Sequence, residues 1–239
     1  MYGTRCRRLT PCARPSCLMP EICPDLDSDP RPWRELLRSA RAAPGVRHVF
    51  VASGIRSDLA LAQENTLPGT LDALAADHVG GRMKTAPEHA VDRVLAIMRK
   101  PPESVQRTFL QRYKAAAARA GKPQQPVVEY YISGHPGCTL DEMLALALHL
   151  KAAQLQPEQV QDYYPCPLTL AAAMYYTGID PLTGATVAVA RTDADKADQR
   201  ALLLCHLPEF QPRARAVLMR LGRGDLIGRG HSCLIPHQK

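Results

Sequence analysis

Apolar and polar positions along this chain follow two rhythms, one helical and one of short apolar runs. Leu36, Leu37 and Ala40 share one face of a helix over 33–43, which Pro44 and Gly45 end. Residues 48–53 form an uninterrupted short run of the buried-strand type, stopping at Gly54. A helix over 59–76 is broken at Pro68-Gly69, and 78–84 reads as the next strand. Helices follow over 90–99, with Val91, Val94, Leu95 and Met98 inward, and over 103–120, with Val105, Phe109, Tyr113 and Ala117 inward. Gly121 ends the second as a left-handed stop. Residues 127–132 form a strand. Thr139 and Glu142 make a capping box that opens a helix over 140–152. A strand over 160–164 precedes a helix over 168–176. Residues 178–190 have little periodicity. Thr192 and Asp195 cap a helix over 193–206, and a last amphipathic helix over 208–221 turns Phe210, Ala214, Val217, Leu218 and Leu221 inward. Residues 221–228 read as a hairpin between helices.

Strands alternating with helices predict an α/β fold with a parallel sheet and right-handed crossovers. Three blocks put polar, Gly- or Pro-bearing loops at strand C-termini: 78–89, 132–137 and 160–167. That arrangement predicts one active face of a (β/α) barrel. Four strands are visible where a full eight-fold barrel takes about 250 residues, so the expectation is a partial TIM-like (β/α) barrel. The predicted organisation is a Cys-rich segment at 1–32, with loops and a short helix, a partial barrel at 33–178, and an all-helical C-terminal extension at 179–239.

Composition narrows the class. The 239 residues are 46% hydrophobic but only 5% aromatic, with Ala and Leu dominant, which favours packed helices. No apolar run reaches the ~18 residues of a membrane helix. The basic start, 1–8, lacks the apolar stretch of a signal peptide, so a cytoplasmic protein is expected. Eight cysteines in a reducing compartment read as thiols or metal ligands rather than disulfides. A net charge of +7 fits either a nucleic-acid or phosphate partner or a solvated basic surface.

Several positions could carry chemistry. Gly80 and Gly81 mark a bulge or the close approach of a ligand or backbone. Lys84, Glu88 and His89 beside them can bind a charged small molecule or trade protons; equally, Glu88 caps the next helix and Lys84 is solvated. The glycines of 133–137 let backbone N–H groups face a ligand at a helix N-terminus, or simply make a tight turn. Cys6, Cys12, Cys17 and Cys23 could hold zinc or an iron–sulfur cluster, although their spacing matches no standard motif. Cys138, Cys166, Cys205 and Cys233 read as packing residues, with Cys166 placed to face the active side. In the pairs Tyr130-Tyr131 and Tyr163-Tyr164, one ring of each must point inward.

Taken in chain order, seven blocks resemble the YgiQ-type radical S-adenosylmethionine (radical SAM) proteins. They are Pro20-Glu-Ile-Cys-Pro24; Val51-Ala-Ser-Gly-Ile-Arg56; His78-Val-Gly-Gly81 with Lys84 and Ala86-Pro-Glu-His89; Ile132-Ser-Gly-His-Pro-Gly137; Gln159-Val-Gln-Asp-Tyr-Tyr-Pro165; Met174-Tyr-Tyr-Thr-Gly178; and Asp225-Leu-Ile-Gly228 with Cys233-Leu-Ile-Pro236. The resemblance implies the C-terminal half of a radical SAM barrel. In it S-adenosylmethionine binds beside a [4Fe-4S] cluster and is cleaved to a 5′-deoxyadenosyl radical that abstracts hydrogen from a substrate. It implies cofactor contacts at Gly80, Gly81, Lys84, Glu88, Gly134, Pro136, Gly137 and Tyr164, and an auxiliary cluster or zinc at the N-terminal cysteines. The family's Cys-x3-Cys-x2-Cys cluster motif is absent here. The expectation is therefore a fragment that is inactive alone, partnered by a separate chain that supplies the missing N-terminal half. The alternative is a metal-binding basic module that engages nucleic acid.

Overall fold

The computed structural model describes residues 4–237. It is a mixed α/β structure that divides into two compact units. One comprises residues up to 87 with 99–128; the other comprises 88–98 with 129–239.

In the first unit, β1 (Arg5–Cys6) and β2 (Leu26–Asp27) pair antiparallel, with Arg5 opposite Asp27. Among the described residues no helix forms before Arg31. Helices α1 (Arg31–Ala42), α2 (Ser57–Thr66) and α3 (Thr70–Asp77) follow, the last two parted at Pro68-Gly69 as the sequence predicts. The core is built by α2 and α3 against α5 (Glu103–Arg119), where Phe109, Tyr113, Ala116 and Ala117 meet Ala60, Leu71, Leu74 and Met83. Removing a ring such as Phe109 costs about 3–5 kcal/mol in a core of this kind. Lys122 Nζ donates to the carbonyls of Ala75 and Ala76 at 2.8 and 2.7 Å, satisfying the open end of α3.

Two predicted strands change here. Residues 48–53 form no strand. Val51 N donates to His78 O and Ile55 makes a single bridge to Thr85, but no ladder runs along the segment, and His48 and Phe50 are exposed. A run this short is apolar enough for a strand only where neighbours bury it. The strand expected at 78–84 is β3, Met83–Glu88. Gly80 and Gly81 therefore lead into the strand rather than end it.

In the second unit, α4 (Asp92–Ile97), β4 (Val127–Ser133, shared across the division), α6 (Leu140–Ala152), β5 (Gln159–Asp162), α7 (Leu170–Thr177), α8 (Asp193–Leu203) and α9 (Gln211–Arg220) follow in order. β4 and β5 pair in parallel, Ser133 opposite Asp162. This is a small parallel sheet, and no closed barrel is present among the described residues. The core lies among α6, α8 and α9, with Met143, Leu146, Leu202, Leu203, Val217 and Leu218 fully buried. Both predicted capping boxes form, Thr139 with Glu142 and Thr192 with Asp195. The expected hairpin at 221–228 is instead a 3-10 turn at Gly224–Leu226, followed by a bridge from Ile227 to Ile235.

Candidate functional site

The richest polar constellation lies at the C-terminal ends of β4 and β5. Ser133 is fully buried, and its hydroxyl donates to Asp162 Oδ1 at 2.5 Å across the parallel pair. Arg200 of α8 pairs with the same carboxylate at 3.2 Å. From there the chain turns through 134–138 into α6. Gln199, 3% exposed, staples this loop at both ends: its Oε1 accepts from Gly134 N at 2.8 Å and its Nε2 donates to Cys138 O at 2.9 Å.

The loop's amides are largely engaged within the protein. Gly137 N donates to Ala188 O at 2.7 Å and Cys138 N to His135 O at 3.0 Å. The expectation that these N–H groups face a ligand does not hold for Gly134, Gly137 and Cys138. Gly137 has a packing reason to be glycine: its φ is +88°, and a Cβ there would lie 2.6 Å from Ile97 Cδ1. His135 is buried, with Nδ1 at 2.7 Å from Pro136 O, which fixes the proton on Nδ1.

Aromatic rings close one side of the loop. Tyr163 meets His135 edge-on at 5.1 Å and Tyr175 at 5.7 Å, and Lys196 Nζ lies 5.5 Å from the Tyr175 centroid. A Cβ on Gly134 would touch both Lys196 and Tyr163. The Tyr163 hydroxyl is buried without a hydrogen-bond partner. Burial is the first cause that raises its pKa, so the phenol stays protonated at neutral pH.

Beside the loop, His89 and Cys138 form a second buried pair. His89 Nδ1 accepts from Val91 N at 3.0 Å, so Nε2 carries the proton toward Cys138 Sγ, 3.5 Å away. Burial pushes His89 down to about 4 and the Cys138 thiol up to about 12. Both are neutral near pH 7. Cys138 is therefore no thiolate nucleophile, and His89 is not poised as a base. Arg93 pairs with Glu142 and donates to Gly137 O at 2.8 Å, tying α4 to the same loop.

The residues expected to form one site are drawn from both units. Gly134, Pro136 and Gly137 come together, but with Tyr163 rather than Tyr164, which is 81% exposed. Both tyrosines lie past the end of β5, at Asp162, so the strand expected over 160–164 stops before them; in β4 it is Tyr131 that is buried. Glu88 ends β3 with a left-handed φ of +69°. Lys84 lies in β3, within the other unit. Gly80 and Gly81 line an open hollow of about 470 Å3 with Phe50, His48 and Lys122, again in that unit. A Cβ on Gly80 would overlap the Phe50 ring at 2.7 Å, which is the close approach that keeps it glycine. Cys6, Cys12 and Cys17 are exposed and Cys23 is buried. Among the described residues no three His, Cys, Asp or Glu side chains gather as metal ligands.

Lys196, Gln199 and Arg200 were not anticipated. One sequence signal existed for Gln199: it occupies the inward stripe of α8 shared with Leu202 and Leu203.

Over 238 residues the chain is 42% identical to a UPF0313 protein of Methanosarcina mazei, covering 98% of the chain and 37% of that relative. A UPF0313 protein of Geobacter sulfurreducens is 47% identical over 226 residues, 93% of the chain and 36% of the relative. One from Pseudomonas syringae pv. tomato is 39% identical over the whole chain and 31% of its own length. The homologues are UPF0313 proteins. The chain spans about a third of the length of these curated relatives. Residues 158–239 match the domain of unknown function DUF3362. That match takes in Tyr163, Tyr175, Lys196, Gln199 and Arg200, which supply one wall of the constellation. No helix among the described residues is long and apolar enough to cross a membrane.

Proposed function

We propose that this chain is the portion of a radical SAM enzyme that holds S-adenosylmethionine against the C-terminal ends of β4 and β5. The observation that carries this reading is the buried, partnerless Tyr163 hydroxyl, set among His135, Tyr175 and Lys196 beside the 134–138 loop. A buried phenol lacking a partner costs about 1–3 kcal/mol, which a ligand acceptor recovers. The seven-block resemblance supplies the ligand's identity. Flat aromatic walls suit a purine, the Tyr163 O–H can donate to one of its ring nitrogens, and Lys196 provides a cation for a carboxylate.

S-adenosylmethionine bound here would supply hydrogen-abstraction chemistry only with an electron from a reduced [4Fe-4S] cluster, which cleaves it to methionine and a carbon-centred radical. The residues of this chain bind and orient; His89 and Cys138, both neutral, hold the loop and exchange no protons. The chain's donors do not fit the [4Fe-4S] cluster: no three ligands gather among the described residues and the Cys-x3-Cys-x2-Cys spacing is missing. In this reading the cluster is held by other polypeptide, in the same or a separate chain, and this portion is inactive by itself. The cysteines at 6, 12, 17 and 23 remain a proposed auxiliary metal site whose ligands must gather on binding.

The alternative, a basic module for nucleic acid, has less support. Arg5, Arg56, Arg119, Arg213 and Arg220 are paired with carboxylates of the chain, which reduces the positive charge open to phosphates.

Calorimetric titration with S-adenosylmethionine tests the proposal. Binding is expected, weakened about tenfold by Tyr163→Phe, the equivalent of one hydrogen bond. A chain that is folded by circular dichroism yet shows no heat of binding at millimolar ligand would refute it.

A further inference from the structure

From Tyr163 to Ala190 the sequence carries a single charged residue, Asp180, in a chain where 22% of residues are charged. Asp180 is buried, and its carboxylate accepts from Leu182 N at 3.0 Å. The segment therefore presents no side-chain charge to solvent. It is nonetheless surface. Of the twelve large apolar side chains exposed among the described residues, six lie here: Tyr164, Leu168, Leu170, Tyr176, Ile179 and Leu182.

Helix α7 is apolar around its whole circumference, Leu170 through Tyr176, yet only Ala172 and Met174 are buried. A helix of that pattern belongs inside a protein. The segment is also firmly built. Thr169 Oγ1 accepts from Ala172 N at 3.1 Å and donates to Cys166 O at 2.7 Å. Thr177 Oγ1 accepts from Ile179 N at 3.1 Å, and the next turn closes through Asp180 N to Ala185 O at 2.8 Å. Leu168 is fully exposed with φ +64°. A left-handed backbone costs a leucine about 1–2 kcal/mol, and no packing within the chain offsets it. A rigid, uncharged, Tyr- and Leu-bearing surface has the make-up of an interface core and loses little entropy on binding.

We propose that the 163–169 loop, α7 and the 178–184 turn form the docking face for the remainder of a UPF0313 polypeptide. The reason is length. This chain matches only 37% of the Methanosarcina mazei relative, so most of that protein lies beyond the match. Polypeptide tethered in cis reaches such a face at an effective concentration of about millimolar, an advantage a second copy lacks. The inference rests on reading the chain as one portion of a larger enzyme, but not on its cofactor.

The test uses the full-length Geobacter sulfurreducens protein carrying a photo-crosslinking phenylalanine at the position aligned with Tyr176. Crosslinks within one polypeptide, to peptides outside the matched third, are expected. Crosslinks confined to the matched third, links between two copies, or no crosslinks would each overturn the proposal. In the present chain, Tyr176→Glu combined with Leu182→Glu should lower the fluorescence of a bound hydrophobic dye about twofold with the thermal midpoint unchanged; unchanged fluorescence also overturns it. Loss of S-adenosylmethionine binding with the crosslinks intact would sink only the cofactor reading.

Discussion

Acidification should destabilise this protein through His89 before its carboxylates protonate. His89 is 1% exposed and its pKa falls to about 4. Burial is the main cause, with Glu142 opposing it and His135, Arg93 and His149 adding to it. In the unfolded chain the imidazole titrates at about 6.5. A folded value below the unfolded one means that the unfolded state binds the proton first. The stability is thus complete above about pH 6.5 and is lost as pH falls toward 4. Between pH 7 and pH 5 the difference is about 2 kcal/mol, and it approaches about 3 kcal/mol at pH 4. Against a typical total of about 5–15 kcal/mol that is measurable. The assay is urea unfolding at several pH values for the wild type and for His89→Gln, which keeps polar groups but does not titrate. The wild type should lose its margin over the variant between pH 7 and 5. A margin that stays constant across that range would refute the assignment of His89 as buried and neutral.

Two other substitutions probe the 134–138 loop. Gln199→Ala strands Gly134 N–H and Cys138 C=O in a buried site, so a loss of about 2–4 kcal/mol in chemical denaturation is expected. Gly137→Ala forces an alanine to φ +88° and into Ile97, for a combined loss of about 2–4 kcal/mol. Adding Ile97→Ala should recover the steric part but not the backbone part, and a double-mutant cycle separates the two.

Local rules placed most helices because their signals are local. The Thr139 and Thr192 capping boxes, the break at Pro68-Gly69 and the stripe of Phe109 and Tyr113 each lie within a few residues of what they determine. Strands were harder. Val49 and Val51 have β-forming side chains, but pairing is decided by a neighbour distant in sequence, and 48–53 has none that forms a ladder. The bounds of β3 depend on pairing in the same way, so Gly80 and Gly81 precede the strand rather than end it. Within the site, the loop of 133–137 was legible because glycine and proline are punctuation. Lys196, Gln199 and Arg200 reach it only through the packing of α8 on α6, a contact between segments with no shared motif. The tyrosine pair was half legible: two adjacent rings are plain in the sequence, but both lie past β5, and packing against His135 and Tyr175 rather than strand alternation turns Tyr163 inward.

The two units are interleaved in sequence. Residues 88–98 belong with 129–239, while 99–128 return to the first unit. During synthesis His89 and Arg93 emerge well before Glu142 and Cys138 exist to receive them, so the second unit cannot complete itself as it leaves the ribosome. Its early strip must wait while an intervening helix is made for the other unit. Chimeras between UPF0313 relatives inherit the same constraint. Exchanging the second unit requires moving two separate stretches of gene, and a single crossover near residue 128 would pair a Cys138 from one parent with a His89 from the other.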